Sequence, residues 1–143
     1  MSRLHVHLSV TDLPAALRFY ERLFGAAPTV VKPDYAKWRL EDPRVNFAIS
    51  TGRDRAGVSH LGLEADSGEE LAAISARLAE AGRPLLDEGT TTCCYARSTK
   101  QWVSDPDGLA WEAFHTHGES TSYGTSPALA SLRAASAPAS CDS

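Results

Sequence analysis

Nowhere in the chain do apolar residues run on for the ~20 positions that a bilayer-spanning helix requires. The N-terminus, Met1 to Val10, is short in apolar character and carries two histidines, so it does not read as a secretion signal. A basic excess is missing too. Lys and Arg number 14 against 18 Asp and Glu, a formal net charge of −4, which argues against nucleic acid or an anionic membrane as the main partner. Aromatic residues make up 8% and do not interleave with a basic patch, so binding of RNA or single strands has little support. Cysteine is scarce: Cys93, Cys94 and Cys141. An odd number with two adjacent is not a disulfide framework, and the expected setting is the cytoplasm, where thiols stay reduced. No phosphate-binding loop, dinucleotide-binding glycine fingerprint or Cys-x-x-Cys pair occurs.

What is present is an ordinary globular composition, 43% hydrophobic and 22% charged over 143 residues. That is enough for one domain or two small fused modules. Residues 116–143 stand apart, being mostly Ser, Ala, Thr and Gly. They bury too little apolar surface to offset their ordering entropy and read as a mostly disordered tail. Leu129 and Leu132 could support a short helix there. The folded part is then about 2–115.

Within it the chain echoes itself. A shift of 55 residues lays His5 on His60, Leu8 on Leu63, Arg22 on Arg77 and Leu23 on Leu78. Trp38 with Asp42-Pro43 is echoed by Trp102 with Asp105-Pro106. The common order suggests two copies of one module, about 2–52 and 57–115. In the first, Leu4, Val6, Leu8 and Val10 alternate with His5, His7 and Ser9, the pattern of a half-buried strand. Asp12 is a helix N-cap with Pro14 in the first turn, and Leu13, Ala16, Leu17, Tyr20, Leu23 and Phe24 recur at helical spacing until Gly25 stops the helix. The second copy repeats strand (58–65), helix (68–81) and glycine. Strands at 29–32, 35–40 and 45–50, then 90–95, 100–104 and 110–115, complete two β-α-β-β-β modules. The expectation is an α+β fold, its paired modules forming a concave mixed sheet with helices on one face.

Strand parity places candidate chemistry on the concave face. If Leu4, Val6 and Leu8 face the helix, His5 and His7 face away. Leu61 and Leu63 place His60 likewise. Glu112 shares a face with Ala110 and Phe114, and a carboxylate among such neighbours needs a partner. For any one of these residues, local satisfaction is the simpler reading. Three at equivalent module positions with matching parity favour a metal site of His5, His60 and Glu112. Two imidazoles and a carboxylate leave open positions, which suits Fe(II) and also Mn, Co, Ni or Zn. His7 shares the face of His5 and could replace it or support it, but the repeat register favours His5. Ser59 and His60, adjacent in a strand, should point to opposite faces. Cys93 and Cys94 offer two thiolates to one soft ion such as trivalent arsenic or Cd(II). Lys100 could lower a thiol pKa or hold an anionic intermediate.

These residues resemble a known family. His5-Val-His-Leu-Ser-Val-Thr-Asp-Leu with Phe19-Tyr20 and Leu23-Phe24-Gly25, His60-Leu-Gly-Leu, and Asp105-Pro-Asp-Gly with Glu112 look like the vicinal oxygen chelate superfamily, which includes glyoxalase I, extradiol dioxygenases, fosfomycin-resistance thiol transferases and bleomycin-binding proteins. The resemblance implies paired βαβββ modules around a divalent metal on His5, His60 and Glu112. Cys93-Cys94-Tyr95-Ala96 followed by Lys100 and Trp102-Val103 is similar to the cadmium-induced protein branch, which contains carbon–arsenic lyases. That narrower likeness implies cleavage of the carbon–arsenic bond of trivalent methyl- or aryl-arsenicals with Fe(II) and dioxygen, releasing arsenite. Cys93, Cys94 and Tyr95 would bind substrate, and Lys100 would steady developing negative charge. Members of the branch often carry glutamine where this chain has His5, and often end in a cysteine-rich tail where it has only Cys141. Another metal-dependent enzyme of the fold, of thiol transferase or glyoxalase type, would use the same triad without needing Cys93-Cys94. A non-enzymatic cadmium- or arsenic-binding protein would use the thiols without oxygen. The chain is expected to act as a monomer or homodimer.

Overall fold

The computed structural model describes residues 1–52, 55–82, 84–93, 96–119 and 127–136. Its elements are β1 (Arg3–Ser9), α1 (Leu13–Phe24), β2 (Val30–Lys32), β3 (Tyr35–Glu41), β4 (Arg44–Ser50), β5 (Gly57–Glu64), α2 (Gly68–Glu80), β6 (Leu86–Cys93), β7 (Ala96–Ser104), β8 (Ala110–Glu119) and α3 (Pro127–Ser136). The fold is α+β, and the order β-α-β-β-β occurs twice before α3. The chain divides into two compact units, Met1–Glu64 and Ala65–Ser143. β5, which opens the second repeat in sequence, belongs to the first unit. No helix among the described residues is long and apolar enough to cross a membrane.

In the first unit the strands run β2-β3-β4-β1-β5. β1 pairs in parallel with β4 and antiparallel with β5. α1 starts where Asp12 accepts a hydrogen bond from the Ala15 N–H at 3.0 Å, and it ends at Gly25, whose φ of 66° is left-handed. Its apolar stripe, Leu13, Ala16, Leu17, Tyr20 and Phe24, packs on Val6, Leu8, Val10, Trp38, Leu40, Val45, Phe47 and Ile49. Trp38 is fully buried and satisfies its indole by donating to the Ala26 carbonyl at 2.9 Å. Leu4 departs from expectation: it is 44% exposed. The parity is right but the cover is not there, because Tyr20 and Phe24 stack on Trp38 and Phe47, over β3 and β4. Asp12→Ala should lower stability by about 1 kcal/mol, whereas Asp12→Asn should leave it nearly unchanged. Equal losses in urea titrations of the two variants would refute the capping role.

The second unit has the strand order β8-β7-β6. α2 is capped by Ser67, which accepts from the Glu70 N–H at 3.1 Å. It reaches the sheet through Ser75, which hydrogen-bonds Gln101. α3 lies on the other face. Residues 101 and 102 point to opposite sides of β7, and Ala128, Leu129 and Leu132 pack with Leu86, Trp102 and Ala110. Glu88 Oε1 accepts the Ala128 N–H at 3.0 Å, holding the first turn of α3. The two leucines that could support a helix in the Ser/Ala-rich tail are thus the residues that dock it. β8 also continues beyond residue 115, to Glu119.

Candidate metal centre

The face of the first sheet opposite α1 collects the polar parity of every strand. From β1 it takes Arg3, His5, His7 and Ser9; from β4, Asn46, Ala48 and Ser50; from β3, Tyr35, Lys37 and Arg39; and from β5, His60, Gly62 and Glu64. Register fixes who meets whom. His5 lies beside Asn46 and opposite Gly62, while His7 lies beside Ala48 and directly opposite His60. Glycine opposite His5 leaves space over the strand pair, so the two neighbouring imidazoles can lean together. His5, His7 and His60 are all buried.

For His5 the hydrogen bond sets the tautomer. His5 Nδ1 is 3.1 Å from the Asn46 carbonyl. A carbonyl only accepts, so Nδ1 carries the proton and Nε2 presents a lone pair, the arrangement that prepares an imidazole for a metal. That Nε2 lies 3.3 Å from His60 Nε2. Two nitrogens on one tetrahedral ion, each ~2.0–2.1 Å from it, sit about 3.3–3.4 Å apart, so the pair already has the spacing of a shared ion. On its far side His60 has Ser59 Oγ, 3.0 Å from Nδ1. Ser59 was expected on the opposite face. The β1–β5 register shifts between His7 and Leu8, where His60 and Val58 are the successive partners, and this bulge at Ser59 turns its hydroxyl toward its neighbour. His7 Nε2 is 2.8 Å from Ser50 Oγ. One ring nitrogen from each of the three histidines lies within 4.8 Å of the others. The donor set, three buried imidazoles on paired strands, therefore fits a divalent transition metal.

Next to it, at the β1 start, is an ion-pair network. Buried Arg3 and Glu64 contact each other at 3.6 Å. Arg39 reaches Glu64 Oε1 at 2.6 Å, and Arg3 reaches Glu41 at 2.6 Å. The Arg3 hydrogen bond holds the exposed Glu41 carboxyl below its usual value.

The other sequence-selected residues lie in the second unit. Lys100 Nζ is 3.4 Å from Glu112 Oε2, with both side chains 5% exposed. The β7–β8 register pairs Lys100 with Phe114 and Trp102 with Glu112, which puts the two charges diagonally on one face. Lys100 is thus the partner that a carboxylate between Ala110 and Phe114 required. Cys93 closes β6, while Cys94 and Tyr95 lie outside the described residues. His115 and His117 do not join the imidazole group: His115 Nδ1 contacts the Ala65 carbonyl at 3.0 Å and exposed His117 contacts Thr99 at 2.7 Å. Asn46, Ser50 and Tyr35 were not singled out as part of the site, although the alternation Asn46, Ala48, Ser50 against Val45, Phe47, Ile49 carried the signal.

A profile of the Glyoxalase/Bleomycin resistance protein/Dioxygenase superfamily matches residues 3–113. The trivalent organoarsenical cleaving enzyme of Bacillus sp. (strain MD1) is 48% identical over 119 residues, covering 81% of this chain and 74% of that one. Cadmium-induced protein CadI of Mycobacterium tuberculosis (strain H37Rv) is 40% identical over 128 residues, covering 89% and 84%. Among solved structures, the Mn(II)-bound glyoxalase from Novosphingobium aromaticivorans superposes with a TM-score of 0.60 at 20% identity, over 89% of this chain and 44% of that one. That last likeness speaks for the fold alone.

Proposed function

Since the chain belongs to the glyoxalase/bleomycin resistance protein/dioxygenase superfamily, we propose that it is an Fe(II)- and dioxygen-dependent enzyme that cleaves the carbon–arsenic bond of trivalent organoarsenicals and releases arsenite. The observation that supports the cleavage in this reading is the 48% identity, over most of both chains, to a protein named a trivalent organoarsenical cleaving enzyme. The paired His5 and His60 nitrogens support a metal-dependent version of it.

His5 and His60 are the imidazole ligands in this reading. Glu112, following Asp105-Pro106-Asp107-Gly108 as in the superfamily motif, is the carboxylate. The Fe(II), when bound, supplies redox chemistry with dioxygen. One dioxygen balances the reaction for a methylarsenite: the carbon–arsenic bond breaks, the carbon leaves as formaldehyde and the arsenic as arsenite. The protein's part is positioning. Cys93 and Cys94 thiolates exchange for the hydroxyls of the soft arsenic and hold the organic group in place, and such placement accounts for a large share of a rate. Lys100 offers a fixed cation to developing negative charge. Its neighbour Glu112 keeps that ammonium compensated while both are buried.

The test is reduced protein reconstituted with Fe(II), given a trivalent aryl-arsenical with and without oxygen, and assayed for arsenite. Release only with both iron and oxygen is the expected result. Tight thiol-dependent arsenic or cadmium binding without release would replace the lyase by a sequestering protein. Cys93→Ser and Cys94→Ser should each lower arsenite release by at least about 100-fold, the scale of lost positioning, and leave the iron content unchanged. Unchanged release in either variant would remove the thiols from the mechanism.

A further inference from the structure

We propose that α3 is a size gate: it walls the face of the second unit that carries Lys100 and Glu112, admits a methyl substituent on arsenic while docked, and must lift off Trp102 to admit an aryl ring. The inference rests on the arsenical-cleaving reading and adds the discrimination between its two substrate classes. It comes from strand register. Across β6, β7 and β8 one row of residues reads Leu86, Trp102, Glu112, and cross-strand partners share a face. Ala110 and Phe114 stand on that face too, two residues either side of Glu112. α3 lays Ala128, Leu129 and Leu132 on Leu86, Trp102 and Ala110. The residues it covers are thus the immediate neighbours of the carboxylate, Trp102 across the strand pair and Ala110 along β8. The Lys100 ammonium shares this ground, 5.9 Å from the ring centres of both Trp102 and Phe114 and 3.4 Å from Glu112.

Burial decides what fits. Trp102, Lys100, Glu112 and Phe114 are at most 5% exposed, so with α3 docked these four offer no open surface the size of an aromatic ring. A methyl group needs far less, and can rest against the half-buried flanks of Leu129 and Leu132. α3 is also able to move. Its ten residues are too few for a helix to be stable alone. One hydrogen bond adds to its apolar contacts, from the Ala128 N–H to Glu88 at 3.0 Å. An element held by few contacts opens locally while the rest stays folded. A ligand that binds only the open form has its affinity reduced by the fraction of molecules that are open. A ligand that fits the docked form suffers no such reduction. Loosening α3 therefore helps aryl substrates and leaves methyl substrates alone.

The experiment compares methylarsenite and phenylarsenite as substrates of the full-length, Fe(II)-loaded protein. Leu132→Ser should raise kcat/KM for phenylarsenite at least about tenfold, the scale of a lost apolar contact. Glu88→Ala, which removes one hydrogen bond and keeps both leucines, should raise it about fivefold. Both variants should stay within about twofold of wild type on methylarsenite, whose binding needs no open form. Amide hydrogen exchange is measured alongside without oxygen, so that substrate persists. Phenylarsenite should speed exchange in residues 127–136 of the wild type, and methylarsenite should not. Exchange in β7 and β8 reports whether each variant keeps its fold, and Glu88→Ala decides the matter if Leu132→Ser does not. Equal changes with the two substrates, or no change with either, would overturn the gate, as would phenylarsenite turnover with α3 fully protected. Failure of the arsenical-cleaving reading looks different: no protein, wild type or variant, would then release arsenite from either compound.

Discussion

His60→Ala is expected to abolish both metal retention and arsenite release, with affinity for the metal reduced by well over 100-fold. The physical reason is that His60 is the hinge of the cluster. Its Nε2 faces His5 Nε2 at 3.3 Å, and its ring is the nearest neighbour of the His7 ring at 4.8 Å. Removing a group that merely orients a ligand lowers affinity ~10–100-fold, and removing a ligand shared by two neighbours does more. The measurement is metal content after dialysis against a weak chelator, followed by the arsenite assay. His117→Ala is the control. That histidine is exposed and bonded to Thr99, so metal content and activity should both match the wild type. If His60→Ala kept its iron, the proposed triad of His5, His60 and Glu112 would not stand.

How much of this site was legible in the chain follows from what each pattern encodes. Period-two alternation in Leu4–Val10 fixes a side of a strand, and that placed His5 and His7 on one face. The 55-residue shift fixes equivalence between modules, and that joined His60 to His5. Neither encodes register between strands far apart in sequence. The bulge at Ser59 decides that His60 faces His7, and with it decides which imidazoles are neighbours. The Lys100–Glu112 pair was closer to the surface of the sequence. The Asp105-Pro106-Asp107-Gly108 turn closes a hairpin, and strands paired across it place residues 100 and 112 on the same side. Leu4 shows the converse limit, since parity names the face but not whether a helix covers it. α3 went further, because a ten-residue helix is too short to be stable alone even when rich in Ala, and it is tertiary contact of Leu129 and Leu132 with Trp102 that holds it.

Glu64→Ala is expected to be the most destabilising charge deletion in the first unit, lowering stability by about 3–5 kcal/mol, the range found when one partner of a buried ion pair is removed. Glu64 is 4% exposed and Arg3 is 2% exposed. The carboxylate contacts Arg3 at 3.6 Å and Arg39 at 2.6 Å, so its removal leaves a buried guanidinium with less compensation. Glu41 makes an equally short contact with Arg3, 2.6 Å, but its side chain is 74% exposed. Water screens that pair, and Glu41→Ala should therefore cost far less stability than Glu64→Ala. The contrast separates burial from contact distance as the cause. It also separates scaffold from chemistry, because Arg3 and Glu64 stand one step along β1 and β5 from His5 and its partner Gly62. A purely structural network predicts that Glu64→Ala, assayed well below its lowered melting temperature, keeps its metal content and most of its turnover. Chemical denaturation of the two variants gives the stability difference directly. Equal losses for Glu64→Ala and Glu41→Ala would show that desolvation is not what sets the strength of the pair, and a stable Glu64→Ala protein that had lost its metal would move the network from the scaffold into the site.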